Sequence, residues 1–225
     1  MDDQQRIGGV AALIASAAIV VGLVMFATLL SDFTTGDSDP GESVAFIADH
    51  YATMYVWNLV VMIAFGVVLV PLALALYARL RSGASVPAPM ATAFGLIWAG
   101  LLIGAGLVTV IDRGTVADLV ESDPDRAESV WLALDSVEQG LGGTIEIVGG
   151  LWVLLISLAA LQSGEFPKAL NYLGIVMAIA AFITVIPALE MVGVIFGLGL
   201  IVWLGWLGVI MYRGIATRTP HTPDE

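Results

Sequence analysis

The chain has 225 residues, 59% of them hydrophobic and 12% charged, with a mean hydropathy of +0.95. A soluble domain carries about a quarter charged residues, so the composition excludes one and points to an integral membrane protein. Cysteine is absent and the net charge is −12, which excludes disulfides and thiol chemistry, and excludes nucleic acid as a partner because that needs a basic footprint.

Six apolar runs approach the roughly 20 helical residues needed to cross a bilayer core of about 30 Å. The expected fold is an all-α, polytopic membrane bundle forming a single domain, with spans at 7–30, 54–76, 90–111, 140–161, 169–189 and 192–212 and a tail over 213–225. The leader MDDQQR is not clearly basic and the first run is too long for a signal h-region. It therefore reads as a retained span; cleavage would leave five.

The loop 31–53 contains Asp39-Pro40-Gly41-Glu42, a helix start with Asp as N-cap and Pro in the first turn. Val44, Ile47, Ala48 and Tyr51 then share a face, which predicts a short helix lying on the membrane surface. The second span carries Asn58 near its outer end and Pro71, where a kink is expected. For Asn58 an interhelical hydrogen bond is the simpler reading than a ligand contact.

The third span holds Gly100-x-x-x-Gly104 and closes on Asp112-Arg113, most simply an interfacial ion pair. In the loop 112–129, Asp123-Pro124 is another helix start, so the fourth helix is expected to begin near Pro124 and stand proud of the surface. At about 100° per residue, Asp135, Glu138, Gln139 and Glu146 fall on one face with Gly142 and Gly149. Counting back from Leu161 places Asp135 and Glu138 in a hydrated outer collar and Glu146 inside the membrane. An intramembrane acid must be protonated, paired or open to water, and defaults to a functional hypothesis.

Glu190 follows Pro187 in the turn between the fifth and sixth spans, where a solvent-exposed position is the simpler reading. The sixth span contains Gly193-x-x-x-Gly197, a small-residue pattern that permits close helix contact. Such glycine faces serve packing within the bundle, or a second copy or partner subunit. Trp152, Trp203 and Trp206 read as packed or lipid-facing aromatics.

Orientation follows from the basic residues. With six spans, Arg6, Arg79, Arg81, Lys168, Arg213 and Arg218 share one side and only Arg113 and Arg126 face the other. Both termini are therefore expected in the cytoplasm of a cell membrane. The two long loops are then external and hold eleven carboxylates, a surface for cations. Acidic residues with a single Lys suit a high-salt host or a GC-rich genome that favours Arg. The turns RLRSGASVPAP and LQSGEFPKALNYLG share a Ser-Gly…Pro pattern, which leaves open whether spans 2–3 and 4–5 are repeated hairpins.

Several chemistries are missing. The one lysine, Lys168, lies in a turn, and the two histidines, His50 and His221, lie in a loop and in the tail. No intramembrane Schiff base, bis-histidine haem ligation, zinc motif or Ser–His pair can be built from these. No catalytic residues, cofactor or metal are expected.

The stretches RIGGVAALIASAAIVVGLV, ALYARLRSG and GGLWVLLISLAALQSGEFPKALNYLG resemble a family of uncharacterised prokaryotic six-helix integral membrane proteins, grouped as a domain of unknown function. That resemblance implies six spans with both ends cytoplasmic and carries over no catalytic residue. The leading expectation is a non-enzymatic membrane component, such as a partner subunit, sensor or envelope-stress protein. Two alternatives stay open. One is a small proton- or cation-linked transporter or channel using Glu146 in an outward-opening pocket with Asn58 and Glu190, Arg113 being the counter-charge. The other is an enzyme acting through carboxylates on a lipid or small apolar substrate.

Overall fold

The computed structural model describes residues 3–31, 39–143 and 146–214, and every regular element among them is helical. Helix α1 (Asp3–Leu29) is followed by the short α2 (Pro40–Asp49). Then α3 (Tyr51–Asn58), a π-helical segment at Leu59–Ala64 and α4 (Phe65–Leu80) run on as one helix of 30 residues. Helix α5 (Pro87–Leu119) is the longest, and α6 (Pro124–Glu138) leads into a second π segment at Gln139–Gly143. Helices α7 (Ile147–Ser163), α8 (Lys168–Ile183) and α9 (Gly193–Arg213) complete the chain, with a 3-10 turn at Pro187–Val192.

The two predicted helix starts are present. The Asp39 carboxylate accepts from the Gly41 N–H at 3.1 Å, and that of Asp123 from the Arg126 N–H at 3.3 Å, each with a Pro just inside its helix. Helices α7 and α9 end at Gly164 and Gly214, whose φ values of 68° and 63° suit a residue without a Cβ.

Among the described residues, four helices are long and apolar enough to cross a membrane: Asp3–Leu29, Tyr51–Leu80, Pro87–Leu119 and Gly193–Arg213. Helices α7 and α8, with 17 and 16 residues, reach only about 26 and 24 Å at 1.5 Å per residue. The expected fourth and fifth spans therefore fall short of that length among the described residues. A π segment and a turn at Glu146 separate α6 from α7, so no continuous helix runs over 140–161. The glycines at 140, 142 and 143 are poor helix formers, which accounts for a break at this point.

The six apolar helices form a closed ring. Helix α1 packs on α4, α4 on α5, α5 on α7, α7 on α8, α8 on α9, and α9 returns to α1. Aromatic side chains fill the middle: Trp98 lies 5.5 Å from Phe65 and 5.6 Å from Trp152, centroid to centroid, and Trp152 lies 5.7 Å from Trp203. Trp152 and Trp203 are packed, whereas Trp206 is exposed.

Close approach depends on glycines other than the two sequence patterns. A Cβ on Gly9 would lie 2.6 Å from the Tyr212 backbone nitrogen, and one on Gly208 would lie 2.9 Å from the Gly9 carbonyl oxygen. By contrast nothing comes within 4 Å of such an atom on Gly100, Gly104 or Gly197, and Gly193 meets only Thr184 at 3.3 Å. Gly100 and Gly104 are therefore not contact glycines inside the bundle; their side of α5 points away from its neighbours.

The two ends differ. At the short-turn end, Arg79 Nε lies 3.1 Å from Glu165 Oε2 and its guanidinium stacks over Phe166 at 4.7 Å, pinning α4 to the α7–α8 turn. At the loop end, Val44 and Ile47 of α2 are buried with Leu30, Met54, Val116, Ala127 and Trp131. The apolar face of α2 thus covers helix ends instead of lying on a membrane surface.

Candidate buried polar site at the loop end

Helix α5 carries three polar or small residues into the layer beneath this apolar cap. Gly106, Thr109 and Asp112 follow at steps of three, drifting about 60° round the helix at each step. A Cβ on Gly106 would lie 2.8 Å from Ile63 Cγ1, 2.9 Å from Met62 Cβ and 3.2 Å from Asn58 Oδ1. The first π segment therefore packs closely on this glycine and aims Asn58 at it. π turns recur at functional positions because the extra residue re-aims neighbouring groups.

Asn58 and Asp112 are 1% and 2% exposed. Neither polar atom of the Asn58 amide, nor Asp112 Oδ1, has a hydrogen-bond partner among the described residues. Thr109 is also buried and gives its hydroxyl proton to the Ala105 carbonyl at 2.9 Å. Gly106 and Asp112 are six residues apart, or about 9 Å along α5. Asn58 and Asp112 are thus two buried polar groups at the loop end, near the level of the apolar cluster of Met54, Val116 and Trp131. Below it lie Phe65 and Trp98, stacked edge to face.

The surrounding charges are assigned differently from the sequence expectation. Arg113 Nη2 lies 3.9 Å from Glu138 Oε2, and Gln139 Nε2 donates to Asp135 Oδ2 at 2.6 Å. Asp112 lies within electrostatic reach of Arg113, Glu138 and Asp135. The expected Asp112–Arg113 pairing is thus widened: Arg113 acts electrostatically on Asp112 and also contacts Glu138 of α6. The collar acids are engaged, and Asp112 is a buried acid with one oxygen lacking a hydrogen-bond partner among the described residues.

Glu146 stands elsewhere. It is the residue at the start of α7, half-buried. Its carbonyl accepts from the Gly150 N–H at 2.9 Å, and its own N–H donates to Thr184 Oγ1 at 3.4 Å. The shared face with Asp135 and Glu138 is corrected, because the break before α7 interrupts the 100° count on which it rested. Glu190 lies in the 3-10 turn, and its side chain is outside the described residues. Among the described residues, no three His, Cys, Asp or Glu side chains are grouped to hold a metal ion.

In the sequence, adjacency to Arg113 points to local pairing and hides Asp112 as a site. The three-residue spacing of Gly106, Thr109 and Asp112 was the available signal.

The model of one protein family, DUF4386, described as a domain of unknown function, matches residues 7–210. No curated protein and no solved structure matches the chain.

Proposed function

The chain belongs to the DUF4386 family, a domain of unknown function, and we propose that it is a non-enzymatic membrane component that responds to cations or protons at its loop end through Asp112. One observation carries this reading: the Asp112 carboxylate is 2% exposed and keeps an oxygen without a hydrogen-bond partner among the described residues. A buried carboxylate is too costly to leave bare and takes up either a proton or a cation. Asp112, Glu138 and Asp135 together carry more negative charge than Arg113 offsets, which leaves room for one added positive charge here. Oxygen donors of this kind suit a hard ion.

The aromatic layer beneath favours sensing over transport, since Phe65, Trp98, Trp152 and Trp203 occupy the centre of the ring where a polar path would run. The open Gly100-x-x-x-Gly104 side of α5 supports the partner-subunit form of the same reading. All six apolar helices cross the bilayer in this proposal.

Thermal unfolding in detergent tests the Asp112 reading. A ligand held at a hundred times its dissociation constant stabilises by about 2.7 kcal/mol, and each kcal/mol moves Tm by about 2–4 °C in a chain of this size. The wild type is expected to gain several degrees in sodium chloride over choline chloride at equal ionic strength if the ligand is a cation. If the ligand is a proton, it is expected to shift with pH alone. Asp112→Asn should lose whichever dependence the wild type shows. An identical response in both proteins would remove Asp112 from the function.

We further propose that the loop end is external and both termini are cytoplasmic, as the distribution of basic residues indicates. The chain lacks cysteine, so single cysteines report cleanly. At the exposed positions Ser122 and Ser82, Ser122→Cys should react with an impermeant maleimide on intact cells and Ser82→Cys only after permeabilisation. The opposite pattern would invert the topology.

A further inference from the structure

An apolar groove of about 340 Å³ runs between α1 and α4 at the end of the bundle that carries the N-terminus. Its walls are Ile7, Val10, Ile14, Val68 and Pro71, and Arg6 stands at one end. From Arg6 to Ile14 is eight residues, or about 12 Å along α1. The helices are fastened beside the groove: Gly8 packs against Ala75, and Gln5 Nε2 donates to the Ala75 carbonyl at 2.9 Å. Ile7, Val10 and Ile14 remain exposed, so the groove opens sideways, toward the medium around the bundle.

Both walls belong to helices long and apolar enough to cross a membrane. What faces such a groove is hydrocarbon, and a furrow of this length takes the upper part of an acyl chain. Arg6 supplies the second half of the argument. It is exposed, and Gly9 lies against Tyr212, so Arg213 at the end of α9 stands at the same end. Two guanidinium groups here, in a chain of net charge −12, offer a phosphate an attractive local surface. Asp3 heads the same helix, so recognition depends on the reach of Arg6 along the groove. Arginine matches phosphate geometry with paired N–H donors.

We propose that this groove seats an acyl chain of one anionic phospholipid, with its phosphate held by Arg6. Native mass spectrometry of the detergent-purified chain, mixed with phosphatidylglycerol or phosphatidylcholine, tests it. The wild type should retain one phosphatidylglycerol in preference to phosphatidylcholine. Arg6→Gln should reduce that preference about five-fold, the contribution of roughly one basic residue at a lipid surface, while both lipids still bind. Val10→Trp should fill the groove and lose both lipids. Circular dichroism establishes that each variant is folded; should Val10→Trp fail that check, the Arg6→Gln comparison decides. Equal retention of the two lipids by the wild type, or an unchanged preference in Arg6→Gln, would overturn the proposal.

Discussion

Gly9→Ala is expected to destabilise the bundle by about 3 kcal/mol, the upper part of the range for overpacking, through separation of the first helix from the last. The added methyl would lie 2.6 Å from the Tyr212 nitrogen and 3.0 Å from both Tyr212 Cα and the Gly208 carbonyl oxygen. All three are backbone atoms, so no side-chain rotation relieves the contact and α1 and α9 must move apart. That separation opens the six-membered ring at its closing contact and loosens the neighbouring Ala12 and Ala15, both fully buried. In lipid the loss is one of packing, since hydrocarbon on the outside is as apolar as the interior. Gly100→Ala is the control. Nothing lies within 4 Å of its added Cβ, and the helix-propensity gain is up to about 1 kcal/mol. Unfolding in mixed detergent and SDS micelles should show a large loss for Gly9→Ala and none for Gly100→Ala. Equal effects would mean that the helix contact is not glycine-dependent.

The contrast between these glycines shows what the sequence carries and what it leaves out. Length and hydropathy locate the apolar helices, and Asp39-Pro40 and Asp123-Pro124 mark their helix starts to the residue, because those signals act within one turn. Which face a helix turns inward is a property of its neighbours. Gly100-x-x-x-Gly104 and Gly9 look alike in sequence, yet one faces away from the bundle and the other touches backbone. The shared face drawn for Glu146, Asp135 and Glu138 fails for a related reason. Angular counting assumes an unbroken helix, and the glycine-rich stretch 140–143 interrupts it before the acid is reached. Asp112 was hidden by the opposite assumption, that neighbours in sequence pair with each other. Arg113, one residue on, acts on Asp112 but also reaches Glu138 across to α6, a contact that adjacency does not reveal.

Trp152→Ala is expected to cost about 3 kcal/mol, the lower end of the range for deleting a buried aromatic. The reason lies in a reciprocal arrangement of two helices. Gly95 and Trp98 in α5, and Gly149 and Trp152 in α7, have the same three-residue spacing. A Cβ on Gly95 would lie 2.6 Å from Trp152 Nε1, and one on Gly149 would lie 2.6 Å from Trp98 Cζ2. Each indole therefore occupies the space that the other helix leaves by having no side chain. Trp152 is fully buried, and its removal leaves a cavity against Gly95, which has no side chain to move into it. Its N–H has no hydrogen-bond partner among the described residues, so Trp152→Phe, which removes that group and retains a ring, should be milder than Trp152→Ala. The reciprocal fit also fixes the sign of a coupling. Gly95→Ala alone should destabilise by about 1–3 kcal/mol through its clash with the indole. In the Trp152→Ala background the same methyl enters the vacated space and should cost little or become stabilising. A double-mutant cycle measured by the same micelle titration reads that difference directly. Additive losses would show that the two residues do not meet as the α5–α7 packing requires.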